Sequence, residues 1–388
     1  MTRDVVIAGI AEAGLNKGVF AEPVSVLDIQ AQCATRAVAD AGLTMADVDG
    51  LLTAGLWGIP GAGTIMPLSV VEHLGIKPRF VDGTNIGGSA FDAHVAHAAM
   101  AVERGYCDVA VITYASDQRS ASGRNLEGKP PHLNMQFDSP FGLLTPIGSY
   151  ALAAHRHMHE YGTTSEQLAE IAVAARRWAQ LNPDATKRDD LTIDGVLESA
   201  MISDPLHKLD ACLVTDGGGA VVVTTPEKLG AAARKRAVYV RGYGESVSHW
   251  TINSMPDLTT TPAAKSGPAA MQMAGVSHDD FDVVQIYDSF TITVLLTLEA
   301  LGFCKPGEGG EFVANGRIAP GGAFPMNTSG GGLSCSHPGM YGMFLLFEAV
   351  RQLRGDAGER QLEKATTALV NGTGGGLSST ATCVLSNR

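Results

Sequence analysis

A short sequence pattern occurs twice in this chain, and the repeat is the feature that most constrains its fold. Residues 41–49 read AGLTMADVD, and residues 274–282 read AGVSHDDFD. Each copy follows a segment with helical character and precedes an apolar segment typical of a β-strand. One helix-to-strand connection used twice, far apart in the chain, predicts two halves with a common architecture.

Strand-like and helix-like segments alternate through the first half, which is typical of layered α/β proteins. The strand-like segments are residues 5–10, 50–54, 79–81 and 109–114, and the helical segments include residues 25–41 and 89–104. A long helix-rich segment with clustered charges then interrupts the alternation. We therefore predict an N-terminal half at 1–230, containing an insertion at about 116–209, and a C-terminal half at 231–388.

Composition excludes several classes of protein. The chain has 388 residues, 45% of them hydrophobic, which is enough for two packed halves. A formal charge of -12 without a run of lysine or arginine argues against a nucleic-acid surface. The six cysteines form no CxxC pair, which favours reduced thiols over disulfides or zinc ligands. There is no signal-peptide pattern and no apolar run of about 18 residues, so we expect a cytoplasmic protein without a membrane partner.

A glycine-rich segment at 327–342 (NTSGGGLSCSHPGMYG) contains one histidine, His337. Pro338 suits the first position of a helix, and residues 340–353 have an amphipathic pattern. The sequence therefore predicts that His337 lies at a helix N-terminus, where unpaired amides and the helix dipole favour an anion. A histidine placed there can act on a developing oxyanion. The alternative is a structural turn in which His337 caps the helix.

Two further segments in the C-terminal half have comparable character. Residues 285–290 (QIYDSF) follow the apolar run 281–284 and precede a long apolar helix. Residues 371–379 (NGTGGGLSS) form a second glycine-rich turn before the last strand. Polar or glycine-rich residues at three strand ends predict loops that converge on one site.

These segments, with a longer signature in the middle of the chain, resemble the thiolase superfamily, specifically its sterol-carrier-protein-type (lipid-transfer-protein-like) branch. That branch usually has HDCF where residues 287–290 read YDSF, and it has GHPxG at the His337 segment. The mid-chain signature includes AAHRHMHEYGTT at 153–164, MISDPL at 201–206 and TDG at 215–217. The resemblance spans most of the chain. It implies the thiolase fold, with two similar layered α/β halves (αβαβα) and an insertion that covers an acyl-CoA site.

The chain lacks the cysteines on which thiolases depend. Thiolases hold a nucleophilic cysteine at the start of a buried helix, where the dipole and the backbone amides lower the thiol pKa. The resemblance places that position at Gly87 or Gly88. The branch carries its acid/base cysteine where Ser289 stands, and other thiolases carry it near residues 371–373.

Other candidate side chains are weaker. Ser89 is a poor nucleophile without a paired base. Cys335 lies outside both thiolase cysteine positions, and we expect it to be a small buried apolar side chain. Alternate residues of a helix point apart, which argues against a metal site at His155, His157 and His159. His94 and His97 fall on a helix that should be buried or at the dimer interface. We therefore expect no metal site, and we also expect no covalently bound cofactor.

What remains suits aldol chemistry on a CoA thioester substrate. A retro-aldol reaction needs a base for the β-hydroxyl, donors for the enolate oxygen and an acid for the α carbon. We expect Tyr287 and His337 to be catalytic, with Tyr287 exchanging a proton if nearby dipoles lower its pKa from about 10. Supporting or oxyanion-binding roles are expected for a further group: Gly88, Asp288, Ser289, Gly374 and Gly375.

Within the branch, the YDSF variant is most similar to the cysteine-less steroid side-chain aldolases. The resemblance implies a lyase that cleaves a β-hydroxyacyl-CoA with a bulky or steroid-like group to a ketone or aldehyde plus a shorter acyl-CoA such as propionyl-CoA. It also implies a homodimer, with the helix and strand at residues 89–114 at the dimer seam, that binds a small zinc-ribbon and OB-fold subunit to give a heterotetramer. Those aldolases commonly have a second tyrosine at the His337 position, so the acid and base roles stay open. The alternatives are an acyl-CoA acyltransferase of the thiolase type and a non-catalytic acyl-CoA or sterol carrier subunit.

Overall fold

A computed structural model of the chain describes residues 3–21, 24–55, 66–121, 138–143 and 146–388. Its strands are β1 (Val6–Glu12), β2 (Leu15–Asn16), β3 (Val19–Phe20), β4 (Gly50–Leu52), β5 (Phe80–Asp82), β6 (Val109–Ser116), β7 (Met201–Ser203), β8 (Leu206–His207), β9 (Gly217–Thr224), β10 (Val238–Val247), β11 (Val283–Ile286), β12 (Thr367–Gly374) and β13 (Ser379–Ser386). Its α-helices are α1 (Val26–Asp40), α2 (Met66–Leu74), α3 (Ala90–Glu103), α4 (Ile147–Tyr161), α5 (Ser165–Gln180), α6 (Ile193–Leu197), α7 (Ala231–Arg236), α8 (Ala263–Ala274), α9 (Thr291–Leu301), α10 (Gly309–Val313) and α11 (Gly342–Arg354). The helix-rich character predicted for the insertion is confirmed by α4, α5 and α6, although residues 122–137 and 144–145 lie outside the described residues.

Within the described ranges, nine strands form one sheet in the order β11-β12-β13-β10-β1-β9-β6-β4-β5. The first four strands in this order follow residue 231 and the other five precede it. The two sets meet in a short antiparallel pairing of β1 with β10, at Val6 with Tyr239 and Ile7 with Val238. β11 and β12 run parallel, as do β4 and its neighbours β5 and β6. The boundary between the halves at residues 230 and 231 stays a prediction.

The internal repeat is confirmed as a structural repeat. Each copy begins at a helix end with a glycine in the left-handed region, Gly42 with φ +68° and Gly275 with φ +67°. Each then enters a single 3₁₀ turn closed by a capping box, in which a Thr or Ser and an Asp three residues later bind each other's backbone amides. A strand follows in both cases, β4 in one half and β11 in the other. The shared letters of the repeat therefore encode the same local geometry twice.

Three apolar clusters show that the fold is layered as predicted. The central cluster contains α3 and α11 and one face of the strands from both halves. A second cluster packs α1 against the other face of the N-terminal strands, and a third packs α4, α5 and α9 against β11 and β12. The layers therefore alternate: one layer of helices lies between the two sets of strands, and one further layer covers the outer face of each set. The predicted layered αβαβα class is confirmed. No helix in the described segments combines the length and apolar character needed to cross a membrane.

Candidate active site

Four segments meet beside the N-terminus of the central helix α3. Gly88 lies in the turn that leads into α3, Tyr287 follows β11, and His337 lies ahead of α11. The fourth segment is the end of β12, at Gly374. Because β11 and β12 are parallel neighbours, their carboxyl ends share one edge, and the Tyr287 amide donates to the Asn371 carbonyl at 3.0 Å. The convergence predicted for the C-terminal loops is present.

Tyr287 and His337 are in direct contact. The Tyr287 hydroxyl lies 3.1 Å from His337 Nε2, and the rings pack edge to face with centroids 5.6 Å apart. The Tyr341 amide donates to the same hydroxyl oxygen at 3.1 Å. Both side chains are buried, Tyr287 at 4% exposed and His337 at 6%. The amide occupies one lone pair of the phenol, which leaves the phenolic proton available for His337 Nε2 or for a bound substrate.

The protonation of Tyr287 differs from the sequence-based expectation. Burial raises the pKa of Tyr287 well above 10, and the nearby Cys212 thiol raises it further. The hydrogen bond from the Tyr341 amide lowers that pKa but does not offset burial. The condition that nearby dipoles lower the Tyr287 pKa is therefore not met. At neutral pH the Tyr287 side chain is a neutral phenol, which can donate or relay a proton but is not a phenolate base.

No side chain fits at position 88, because the Tyr287 ring occupies the space. A Cβ placed on Gly88 would lie 2.5 Å from the Tyr287 hydroxyl and 2.5 Å from the Thr373 carbonyl oxygen, and it would also collide with the edge of the Tyr287 ring. Real Cβ contacts are essentially never this short. The phenol therefore stands where a side chain of residue 88 would project from the start of α3.

The segment around His337 is not a helix start. Residues Gly331–Cys335 form one π-helical turn, and α11 begins only at Gly342. The prediction of Pro338 as the first helical residue was wrong, because Gly339 has φ +89° and breaks any helix there. His337 is instead fixed by Thr215: the His337 amide donates to Thr215 Oγ1 at 3.0 Å, and the Thr215 amide donates to the His337 carbonyl at 3.2 Å.

Asp288 anchors the turn that leads to His337. Its two carboxyl oxygens accept hydrogen bonds from the amides of Gly332 at 2.7 Å and Leu333 at 3.1 Å. A Cβ on Gly331 would collide with the same carboxyl group. Asp288 is fully buried, and burial raises its pKa to about 7 against these two hydrogen bonds. The geometry is that of a support for the turn.

The glycine turn after β12 packs backbone to backbone against the turn at Gly87 and Gly88. A Cβ on Gly87 would lie 2.7 Å from the Gly375 nitrogen, and one on Gly374 would collide with the Ile86 carbonyl. Ser289 lies nearby, with its hydroxyl 2.9 Å from Thr293 Oγ1. The structure thus brings the predicted glycines Gly88, Gly374 and Gly375 together beside Tyr287.

The insertion supplies a residue that the sequence did not identify. Tyr150 of α4 donates from its hydroxyl to the Gly375 carbonyl at 2.9 Å, and its ring lies 4.3 Å from that of Phe290. Thr215 was also given no role, although it belongs to the TDG part of the mid-chain signature. That signature was the sequence signal that could have identified Thr215. The hydrogen bond of Tyr150 joins residues 225 positions apart, so only the folded structure reveals it.

The remaining candidates have structural partners. Cys335 is buried beside Ala179 and Ala185, and burial raises its pKa. His157 bridges Thr163 and Glu299 at 2.8 and 3.0 Å. In the ranges that the structure covers, no three His, Cys, Asp or Glu side chains come together as metal ligands. The expectations about metals and cofactors stay predictions.

Comparisons with known proteins agree with this fold. A family described as "Thiolase C-terminal domain-like" matches residues 244–387. The steroid side-chain-cleaving aldolase of Thermomonospora curvata is 33% identical, with 95% of each chain covered. An acetyl-CoA acetyltransferase of Methanothermobacter thermautotrophicus is 31% identical, covering 96% of this chain and 97% of the relative. The solved structure of an Ltp2-ChsH2(DUF35) aldolase superposes with a TM-score of 0.86 at 31% identity, covering 99% of this chain and 98% of the other.

Proposed function

The chain belongs to the sterol-carrier-protein-type branch of the thiolase superfamily, and on that basis we propose that it is a carbon-carbon lyase acting on a β-hydroxyacyl-CoA. The products are a ketone or aldehyde and a shorter acyl-CoA such as propionyl-CoA. The observation that carries the proposal is the Tyr287 phenol, which fills the space beside Gly88 and contacts His337. A bulky, steroid-like acyl group is supported by the name of the Thermomonospora curvata relative.

In the proposed reaction, one proton moves from the β-hydroxyl to the α carbon. The raised pKa keeps Tyr287 protonated, so the phenol can accept the proton of the substrate hydroxyl only while it gives its own proton to His337 Nε2. The bond between the α and β carbons breaks, and its electrons form the thioester enolate. The same pair of residues then returns a proton to the α carbon. The reaction balances without a covalent enzyme intermediate.

The backbone around Gly88 and Gly375 stabilises the enolate oxygen in this proposal. The Gly375 nitrogen lies close to the turn at Gly87, and Gly88 lies just before the 14-residue helix α3. Amides at a helix start favour negative charge, and amide donors directed at a developing oxyanion are a major source of rate acceleration. Asp288 and Ser289 support the two strand-end loops.

The second candidate is a thiolase-type acyltransferase, which the name of the Methanothermobacter relative favours. That chemistry requires a nucleophile that can be acylated. The start of α3 offers only Gly88 and the buried Ser89, whose hydroxyl binds Ser379 Oγ at 2.8 Å and the Ile86 carbonyl at 3.2 Å. These contacts favour the lyase over the acyltransferase.

The proposed assembly is a homodimer joined by a small zinc-ribbon and OB-fold subunit to give a heterotetramer. The name of the superposed aldolase pairs its chain with a DUF35 protein, which supports a partner of that kind. A nucleic-acid or membrane partner is not part of the proposal.

Product analysis tests the proposed function. Purified protein, alone and with its copurifying partner, is incubated with a series of β-hydroxyacyl-CoAs, and the products are separated and weighed by mass spectrometry. The proposal requires equal amounts of a free carbonyl compound and a shortened acyl-CoA. Formation of a 3-ketoacyl-CoA from two acyl-CoAs, with an acylated protein during turnover, would favour the acyltransferase.

A further inference from the structure

We infer that Tyr150 is a positioning residue, which extends from the insertion and fixes the glycine turn that binds the enolate. This inference rests on the proposed function, since it concerns the anion-binding backbone of the same site. The contact that carries it is the hydrogen bond from the Tyr150 hydroxyl to the Gly375 carbonyl oxygen, at 2.9 Å.

Three consecutive backbone carbonyls of this turn, those of Gly374, Gly375 and Gly376, have hydrogen-bond partners within the protein. Ser378 N–H donates to Gly374 O at 2.9 Å, Tyr150 donates to Gly375 O, and His249 Nε2 lies 3.0 Å from Gly376 O. In a trans peptide the N–H points away from the preceding C=O. The bond from Ser378 to the Gly374 carbonyl therefore sets the direction of the Gly375 N–H, whose nitrogen lies close to Gly87, and the bond from Tyr150 to the Gly375 carbonyl sets the direction of the Gly376 N–H.

Because residues 375 and 376 are both glycines, the peptide between them can change its orientation at low energetic cost. Gly375 has φ +61°, and neither it nor Gly376 carries a Cβ to restrict rotation of the peptide between them. A hydrogen-bond donor at the Gly375 carbonyl is therefore needed to select one orientation. Gly375 is exposed, so without the Tyr150 hydroxyl water can bind its carbonyl in more than one orientation, and the Gly376 N–H turns with that carbonyl.

Tyr150 itself has little freedom. The side chain is 4% exposed, and its ring lies against Phe290 at 4.3 Å with an interplanar angle of 34°. Burial raises its pKa to about 12, with a hydrogen bond to Ser289 lowering it in part. The hydroxyl is therefore a permanent donor at neutral pH. Because Tyr150 belongs to α4, the insertion helps to set the geometry of the active site as well as to cover it.

Tyr150→Phe tests the inference, because it removes the hydroxyl and keeps the ring that packs on Phe290. We expect kcat to fall about 10- to 100-fold, below the 10²- to 10³-fold loss typical of deleting an oxyanion donor outright. KM should change less than about 3-fold and the pH profile should keep its shape, since the group transfers no proton. Tyr161→Phe, on the same helix and 40% exposed, is the matched control and should keep wild-type kinetics.

Unchanged kcat in Tyr150→Phe would overturn the inference, and loss of one limb of the pH profile would show that Tyr150 transfers a proton itself. If the wild-type protein cleaves none of the β-hydroxyacyl-CoAs, the proposed function fails, and a second readout decides about Tyr150. Crystal structures of wild type and Tyr150→Phe should then differ in the orientation of the Gly375–Gly376 peptide. An identical peptide in both would refute the positioning role.

Discussion

At the scale of single residues, the site depends on a steric exclusion between positions 88 and 287. A side chain at residue 88 and a tyrosine ring at residue 287 would require the same volume. The glycine at position 88 therefore has a structural role besides replacing a cysteine, because its lack of a side chain allows the Tyr287 phenol to contact His337 Nε2 and the Tyr341 amide. Residue 88 therefore controls where the Tyr287 ring can lie.

Gly88→Ala should displace the Tyr287 ring and reduce turnover about 10- to 100-fold. Overpacking of this kind typically costs about 1–3 kcal/mol, so the variant should fold with a lowered Tm. Steady-state kinetics and thermal unfolding measure the two effects. Gly230→Ala is the control, because a Cβ there meets no atom within 4 Å and φ is -63°. Wild-type turnover in Gly88→Ala would show that the phenol does not need this space.

At the scale of elements, the π-helical turn Gly331–Cys335 positions His337 by contacts outside any helix. Asp288 holds the turn at its N-terminal side through Gly332 and Leu333, and Thr215 holds His337 on both sides of its backbone. The Asp288 carboxyl is buried, so these hydrogen bonds compete with the cost of removing its charge from water. The stability of the protein should therefore depend on pH through this residue.

Asp288 has a pKa of about 7 in the folded protein and an ordinary value of 3.8. A raised carboxyl pKa means that the folded state binds more protons between about pH 4 and pH 7, so stability falls as pH rises through that window. The slope from one such group is at most about 1.4 kcal/mol per pH unit. Urea unfolding at several pH values should show a shallower decline for Asp288→Asn than for wild type. Parallel curves for the two proteins would contradict the assignment.

The sequence predicted the elements around the site better than the backbone of its loops. The repeat, the alternating strands and the polar strand ends depend on local patterns, and these correctly placed Tyr287, His337 and the glycine turns at one edge. The helix start predicted at Pro338 failed because Gly339 adopts a positive φ, which a sequence permits but does not require. The raised Tyr287 pKa and the role of Tyr150 depend on burial and on contacts between distant segments, so local patterns could not reveal them.

At the scale of the whole molecule, the described sheet ends at β5, and a groove lies beside that edge, lined by apolar side chains together with Asp82, His97 and Arg104. Val81, Met100 and Tyr106 line the groove and are 40%, 43% and 67% exposed. A free strand edge beside exposed apolar side chains is typical of an interface. The location agrees with the segment at residues 89–114, which the thiolase resemblance assigns to the dimer seam.

We expect light scattering to give twice the chain mass of 40.4 kDa, or more when the partner subunit is present. Met100→Glu should shift the protein toward monomer, because it places a charge in the groove. Met273→Glu, at a side chain that is 53% exposed and lies outside the groove, is the control. A fully active wild-type monomer without a partner would contradict the proposed assembly.

The central claim is that the Tyr287 phenol carries out proton transfer in a reaction without a covalent intermediate. The most direct test is the single-turnover rate of Tyr287→Phe on a β-hydroxyacyl-CoA that the wild-type protein cleaves, measured together with binding of the same compound. Because only the hydroxyl is lost, binding should persist while the chemical rate falls about 10²-fold or more. Near-normal cleavage by folded Tyr287→Phe would contradict the claim and place the acid/base group elsewhere.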